Sequence, residues 1–197
     1  MLKTESESEM PSKVPVGVYQ IKVTLKRMKP SIWRRIAVPC DITLGGLHNV
    51  IQRAMGWMDC HLHEFVIDGK RYGRATSKAF DFDEGMIDEG RARLNKVSGP
   101  NAKFLYSYDL GDDWVHELHI EREVASDGER AARCLAGKNA CPPEDCGGPY
   151  GYARLLAILA DPEHEEHEEM LEWAGDDVDP HVFDAKQVDR LVSLVKV

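Results

Sequence analysis

Three histidines carry the residue type best suited to chemistry in this chain: His61 and His63 in His61-Leu-His63, and His116 at the end of Tyr108-Asp-Leu-Gly-Asp-Asp-Trp-Val-His116. Neutral imidazole with carboxylate suits a zinc or iron centre that keeps an open position. On a strand, His61 and His63 share one face with Phe65 and Ile67, and His116 shares a face with Trp114, Leu118 and Ile120. If those strands are neighbours, three imidazoles meet beside Asp112 or Asp113. Buried, hydrogen-bonded structural histidines satisfy the same spacing. Asp109, Asp112 and Asp113 are also the residue types that hold divalent cations in nucleases. A hairpin turn asks for the same Asp and Gly.

The second candidate is a cysteine set, Cys134, Cys141 and Cys146, spaced Cys-x6-Cys and Cys-x4-Cys. Only the second spacing approaches a structural-zinc knuckle, and a fourth ligand must come from Cys40, Cys60 or a histidine. Small buried cysteines are the competing reading. Cys141-Pro-Pro-Glu-Asp-Cys146 departs from the deaminase signature, which needs Pro-Cys-x-x-Cys with His-x-Glu. Gly147-Gly148-Pro149 opens a helix and exposes amides, but Glu144 and Asp145 beside it repel phosphate and suit backbone amides instead. His164 and His167, inside Glu163-His-Glu-Glu-His-Glu-Glu169, read as the wet face of an amphipathic helix. Ser107 sits between tyrosines on a strand, with no nucleophile elbow.

The net charge of −9 and the pI near 5.4 disfavour nucleic acid, whose binding needs clustered Lys and Arg. A local basic strip exists nonetheless. Lys26, Arg27, Arg34 and Arg35 would be the contacts of a DNA-associated factor. The first residues lack an apolar leader segment, and no apolar run approaches membrane-span length. These features predict a cytoplasmic protein, and five unevenly spaced cysteines do not read as a disulfide framework.

The elements that must position these residues follow from periodicity. Residues 1–15 read as a disordered tail and 16–197 as a single domain. Alternation predicts strands at Tyr19–Lys26 and Ile32–Val38, joined by a turn at Met28–Ser31. Leu44, Leu47, Val50, Ile51, Ala54 and Met55 recur at helical spacing after Asp41 and Thr43, and the helix ends near Gly56. Leu62–Ile67 is the next strand. Lys103–Tyr108 and Trp114–Glu123 make a second hairpin. Phe80–Glu84 reads as a short edge segment and Arg133–Gly148 as a loop. Pro149 starts a helix, Glu163–Ala174 is another, Asp176–Asp179 is an acidic turn, and Asp184 caps the last helix. The fold class is α+β: an antiparallel-rich sheet of two hairpins with a β-grasp-like start (strand-strand-helix-strand) and a helical C-terminal third.

Several segments together resemble the root-inducing-plasmid ORF-3-like family. They are Pro30-Ser-Ile-Trp-Arg-Arg-Ile36, Ala54-Met-Gly-Trp57, His61-Leu-His-Glu-Phe65, Tyr108–His116, Cys141-Pro-Pro-Glu-Asp145 with Gly147-Gly148, and Glu172-Trp173. The resemblance runs in order from about Val16 to the C-terminus. It implies an α+β protein of unassigned biochemical function, some of whose relatives are labelled as passengers of insertion elements. The expected function is a binding or interaction module with an unidentified protein partner and no membrane association. No complete catalytic set is visible. The alternatives are a metal-dependent hydrolase or nuclease using zinc or another divalent cation, and an accessory DNA factor.

Overall fold

The computed structural model describes residues 17–74, 85–126, 128, 130–175 and 179–197. The expected tail at 1–15, the segment at 80–84 and most of the 176–179 turn lie outside the described residues. Eight strands form one mixed, mostly antiparallel sheet in the order β5-β4-β3-β6-β7-β1-β2-β8. They are β1 (Val18–Leu25), β2 (Ile32–Pro39), β3 (His63–Ile67), β4 (Lys70–Gly73), β5 (Ile87–Asp88), β6 (Lys103–Tyr108), β7 (Trp114–Val124) and β8 (Arg133–Lys138). Helices α1 (Leu44–Met55), α2 (Leu94–Val97), α3 (Gly148–Leu159), α4 (His167–Ala174) and α5 (Ala185–Ser193) complete the α+β fold.

Alternation puts one residue in two on a common inner face. Register aligns them in rows across the sheet: Phe65, Tyr106, His116, Leu25 and Ile32 in one, Ile120, Ile21 and Ile36 in another. The α1 residues Leu44, Leu47, Val50, Ile51, Ala54 and Met55 are buried in the same core cluster. Each such buried aliphatic side chain contributes about 1.5–3 kcal/mol. Thr43 caps α1 by accepting from Gly46 N, and Gly56 ends it in the left-handed region at φ 89°. Asp184 caps α5, accepting from Lys186 N and Gln187 N, and α5 packs on β8 and α1.

The strand-strand-helix-strand start is present, and the β6–β7 hairpin stands between β3 and β1 in the sheet. Two details depart from the sequence reading. Arg133–Lys138 is not loop: it is an edge strand paired with β2, and backbone pairing there outweighs weak local propensity. The acidic helix starts at His167 rather than Glu163, since residues 161–166 form turns capped by Asp161 and His164.

Arg34 explains part of the cross-sheet packing and corrects the basic strip. It lies on the inner face at 2% exposure. Nε donates to Ala54 O at 2.9 Å, Nη1 to Trp33 O at 2.9 Å and Lys138 O at 3.1 Å, and Nη2 approaches Cys141 Sγ at 3.4 Å. Phe183 lies under the guanidinium at 4.3 Å. Arg35 is paired with Glu121 and Arg27 with Asp113. Of the four proposed DNA contacts, Lys26 alone is exposed without an ion pair among the described residues.

Candidate metal centre

The loop from Trp57 to Leu62 joins α1 to β3 and is tied down on both sides. Trp57 Nε1 donates to Pro142 O at 3.0 Å, and Met58 N donates to Glu144 Oε1 at 2.8 Å. Asp59 N donates to Gln52 Oε1 at 3.0 Å, and Cys60 N to the Tyr108 hydroxyl at 3.1 Å. This anchoring turns His61 toward the β6–β7 turn and the Cys141–Gly147 loop. Its Nε2 lies 3.1 Å from Asp145 Oδ1, 3.7 Å from Asp109 Oδ2 and 3.8 Å from Glu144 Oε2. That nitrogen is buried yet makes no hydrogen bond, so none of these contacts has hydrogen-bond geometry. No lysine or arginine among the described residues pairs with Asp109, Glu144 or Asp145.

Two of the three carboxylates are held from behind. Asp109 sits at φ 52° in the turn, where its Oδ1 accepts from Gly111 N at 3.0 Å and Asp112 N at 3.3 Å, leaving Oδ2 for the site. Tyr108 donates its hydroxyl to Glu144 at 3.0 Å, and burial raises the pKa of that hydroxyl well above the ordinary tyrosine value. Glycines let the two loops meet. A Cβ on Gly148 would stand 2.3 Å from Asp112 O, and one on Gly151 would stand 1.9 Å from Cys146 O. Asp112 Oδ2 also accepts from Gly147 N at 3.1 Å.

Beside this centre lies a buried polar network. The rings of His48 and His63 stack, with centroids 3.5 Å apart and planes within 6°. His48 Nε2 meets Asp59 Oδ1 at 2.9 Å, and His63 Nε2 meets Glu89 Oε2 at 2.7 Å. Gln52 Nε2 donates to the Tyr106 oxygen at 3.0 Å, so the Tyr106 O–H donates to His48 Nδ1 at 2.8 Å. His48 therefore carries its proton on Nε2 and gives it to Asp59. His48, Asp59 and His63 bring donor atoms close together. A ligated ion must lie in the plane of each imidazole. Between parallel rings 3.5 Å apart, one ion would stand up to roughly 1.7 Å out of both planes. The stack is a scaffold for the Asp59–His61 loop. Burial pushes Asp59 toward protonation, but hydrogen bonds from Arg74 and His48 outweigh it and hold the carboxyl below its usual range.

The three predicted imidazoles do not converge. The strand begins at His63, so His61 precedes it and does not share its face. His116 is on β7, separated from β3 by β6 and two residues along from the partner row of His63, which at about 4.8 Å per strand and 3.3 Å per residue puts it roughly 12 Å from His63. It is fully buried against Trp57 and Tyr106, with Nδ1 3.3 Å from Tyr106 O and Nε2 unpartnered. Asp112 and Asp113 are also engaged elsewhere, with Gly147 N and Arg27 respectively. Of the residues the sequence reading singled out, His61 and Asp109 lie together here. It read Glu144 and Asp145 as repelling phosphate and capping backbone amides, and it assigned no role to Asp59, Gln52 or Glu89. His48 and Gln52, four apart on the apolar face of α1, were the available signal.

The cysteine trio does not assemble either. Cys134 is on the edge strand, Cys141 lies 3.2 Å from Met55 Sδ, and Cys146 lies beside Asp112. Burial pushes Cys134 and Cys141 up to about 11 and Cys146 up to about 12. Cys60 alone is exposed. Iodoacetamide at pH 8 is therefore expected to modify Cys60 first in the native chain, the other thiols following only on unfolding. Equal labelling of all five by peptide mass mapping would contradict this.

Two buried imidazoles make the fold acid-sensitive. Burial, then the neighbouring His63, pushes His48 down to about 4, and burial alone does the same for His116. Both are neutral in the folded chain, while the unfolded chain takes up protons near pH 6.5. Their contribution is complete above pH 6.5 and is lost as pH falls toward 4, on the order of 3 kcal/mol each. Urea unfolding at pH 7, 6, 5 and 4.5 is expected to show that decline. A level profile would mean these rings are charged or solvated in the fold.

The family model for plasmid pRiA4b ORF-3-like proteins matches residues 17–187. The chain belongs to this family. Among its ORF-3-like relatives, an uncharacterized protein y4hQ of Sinorhizobium fredii is 40% identical over 179 residues, covering 89% of this chain and 91% of the relative. The crystal structure of a protein of unknown function, MM3350 from Methanosarcina mazei Go1, is 37% identical with a TM-score of 0.77, covering 88% of this chain and 98% of that one. The ORF-3-like fold is thus shared and its function uncharacterised. No helix among the described residues is long and apolar enough to cross a membrane.

Proposed function

We propose that this chain is a divalent-metal protein with a water-activating centre, His61, Asp109 and Asp145 as ligands and Glu144 as the adjacent base. One observation carries the reading: a buried imidazole nitrogen without a hydrogen bond faces carboxylate oxygens at 3.1–3.8 Å, with no cationic side chain among the described residues to neutralise them. Ligand atoms around an ion with bonds near 2.1 Å stand about 3.0–3.4 Å apart, so small shifts close the set. One imidazole with carboxylates suits manganese, iron or zinc. A three-ligand set leaves positions for water, and Glu144 stands where it could take a proton from that water. The reaction class this supports is hydrolysis.

The test is calorimetric titration of manganese and of zinc into the EDTA-stripped full chain, followed by metal-dependent hydrolysis of phenyl acetate. The expected result is about one equivalent bound, as three convergent ligands imply, with binding lost in His61→Ala. Glu144→Gln is expected to keep the metal and lose the turnover. No binding of either ion by a folded chain would end the proposal.

A further inference from the structure

Helices α3 and α4 pack against each other and leave a cleft of 170 Å³ between them. It is lined by Asp145, Cys146 and Gly151, by Arg154 and Leu155 of α3, and by Met170 and Trp173 of α4. Asp145 is also the residue whose Oδ1 lies 3.1 Å from His61 Nε2, so the cleft and the candidate metal centre share this residue. A cavity of about 150 Å³ lined by apolar side chains holds one benzene ring. An indole and a thioether in the wall favour an aromatic occupant over a merely aliphatic one. Trp173 is 48% exposed, which leaves one side of its ring available.

Charge decides what the ring is attached to. The cation at the cleft is Arg154, and both oxygens of Glu166 hold its Nη2, at 2.6 and 2.5 Å. Asp145 lines the cleft, and Asp109 and Glu144 stand with it around His61, while Asp112 accepts from Gly147 N close by. With a divalent ion bound, its charge is cancelled by the two ligand carboxylates Asp109 and Asp145, so Glu144 and Asp112 leave the region net negative and an entering carboxylate or phosphodiester meets repulsion. A neutral carbonyl does not. Resting on the metal reading above, we propose that the α3–α4 cleft seats the ring of a neutral aromatic ester or amide. Its carbonyl oxygen then reaches the His61–Asp109–Asp145 centre. On hydrolysis, the water oxygen bonds to the acyl carbon and the bond from that carbon to the leaving oxygen or nitrogen breaks. The water proton passes by way of Glu144 to the leaving group.

The experiment is calorimetric titration of the manganese-loaded full chain with benzamide, acetamide and benzoate. Benzamide is expected to bind about tenfold more tightly than acetamide, the low end for burying a ring, and more tightly than benzoate. Trp173→Ala should retain manganese and lose the preference for the ring. Manganese binding with no preference for benzamide over acetamide overturns the cleft assignment alone. A preference for benzoate overturns the neutral-substrate assignment. Absence of manganese binding overturns the metal centre and this proposal together.

Discussion

Asp109→Asn is expected to lower manganese affinity by at least about 100-fold, since even partners outside the ligand shell cost 10–100-fold. The substitution is chosen for what it leaves intact. Asparagine tolerates the positive φ of 52° and keeps an oxygen to accept from Gly111 N and Asp112 N. The turn should therefore survive, and the melting temperature should move by less than about 4 °C, equivalent to roughly 1 kcal/mol in a chain of this size. What changes is the group aimed at His61: Oδ2, 3.7 Å from Nε2, becomes an amide that donates where a metal needs a lone pair. Calorimetry on the variant decides the matter. Unaltered affinity with unaltered stability would remove Asp109 from the site.

The second large effect is structural and reaches the same centre. Gly151→Ala puts a methyl 1.9 Å from Cys146 O, against backbone that has no rotamer to give. Relief requires α3 to move from the loop that carries Glu144 and Asp145. The expected cost is about 3 kcal/mol, a fall in melting temperature of about 6–12 °C, with weakened metal binding alongside. Gly99→Ala is the control, because nothing lies within 4 Å of its Cβ. Comparable melting curves for the two variants would show that the loop and α3 are not in contact as described.

Most of the scaffold was legible in one dimension. The α1 stripe from Leu44 to Met55, its Thr43 cap and Gly56 stop, and the β6–β7 hairpin around Asp109–Asp113 are local patterns of period 3.6, period 2 and turn chemistry. The edge strand at Arg133–Lys138 was not, because its stability comes from pairing with β2 across about a hundred residues of chain. The proposed metal centre was only partly legible. His61 and Asp109 stood out by type, but the triplet His61, His63 and His116 rested on an assumed strand order that the inserted β6 strand breaks.

By itself the sequence determined most of the elements, the inner apolar face and the family, since each is written in residue spacing or in ordered motifs. Only the tertiary structure decided which polar residues meet. The loop tied by Trp57 and Met58 turns His61 away from His63, and Gly148 and Gly151 let the Cys141–Gly147 loop approach the hairpin turn. That approach brings Glu144 and Asp145 to His61, more than eighty residues away in sequence. Such a meeting depends on close backbone packing between loops, and no local periodicity encodes it.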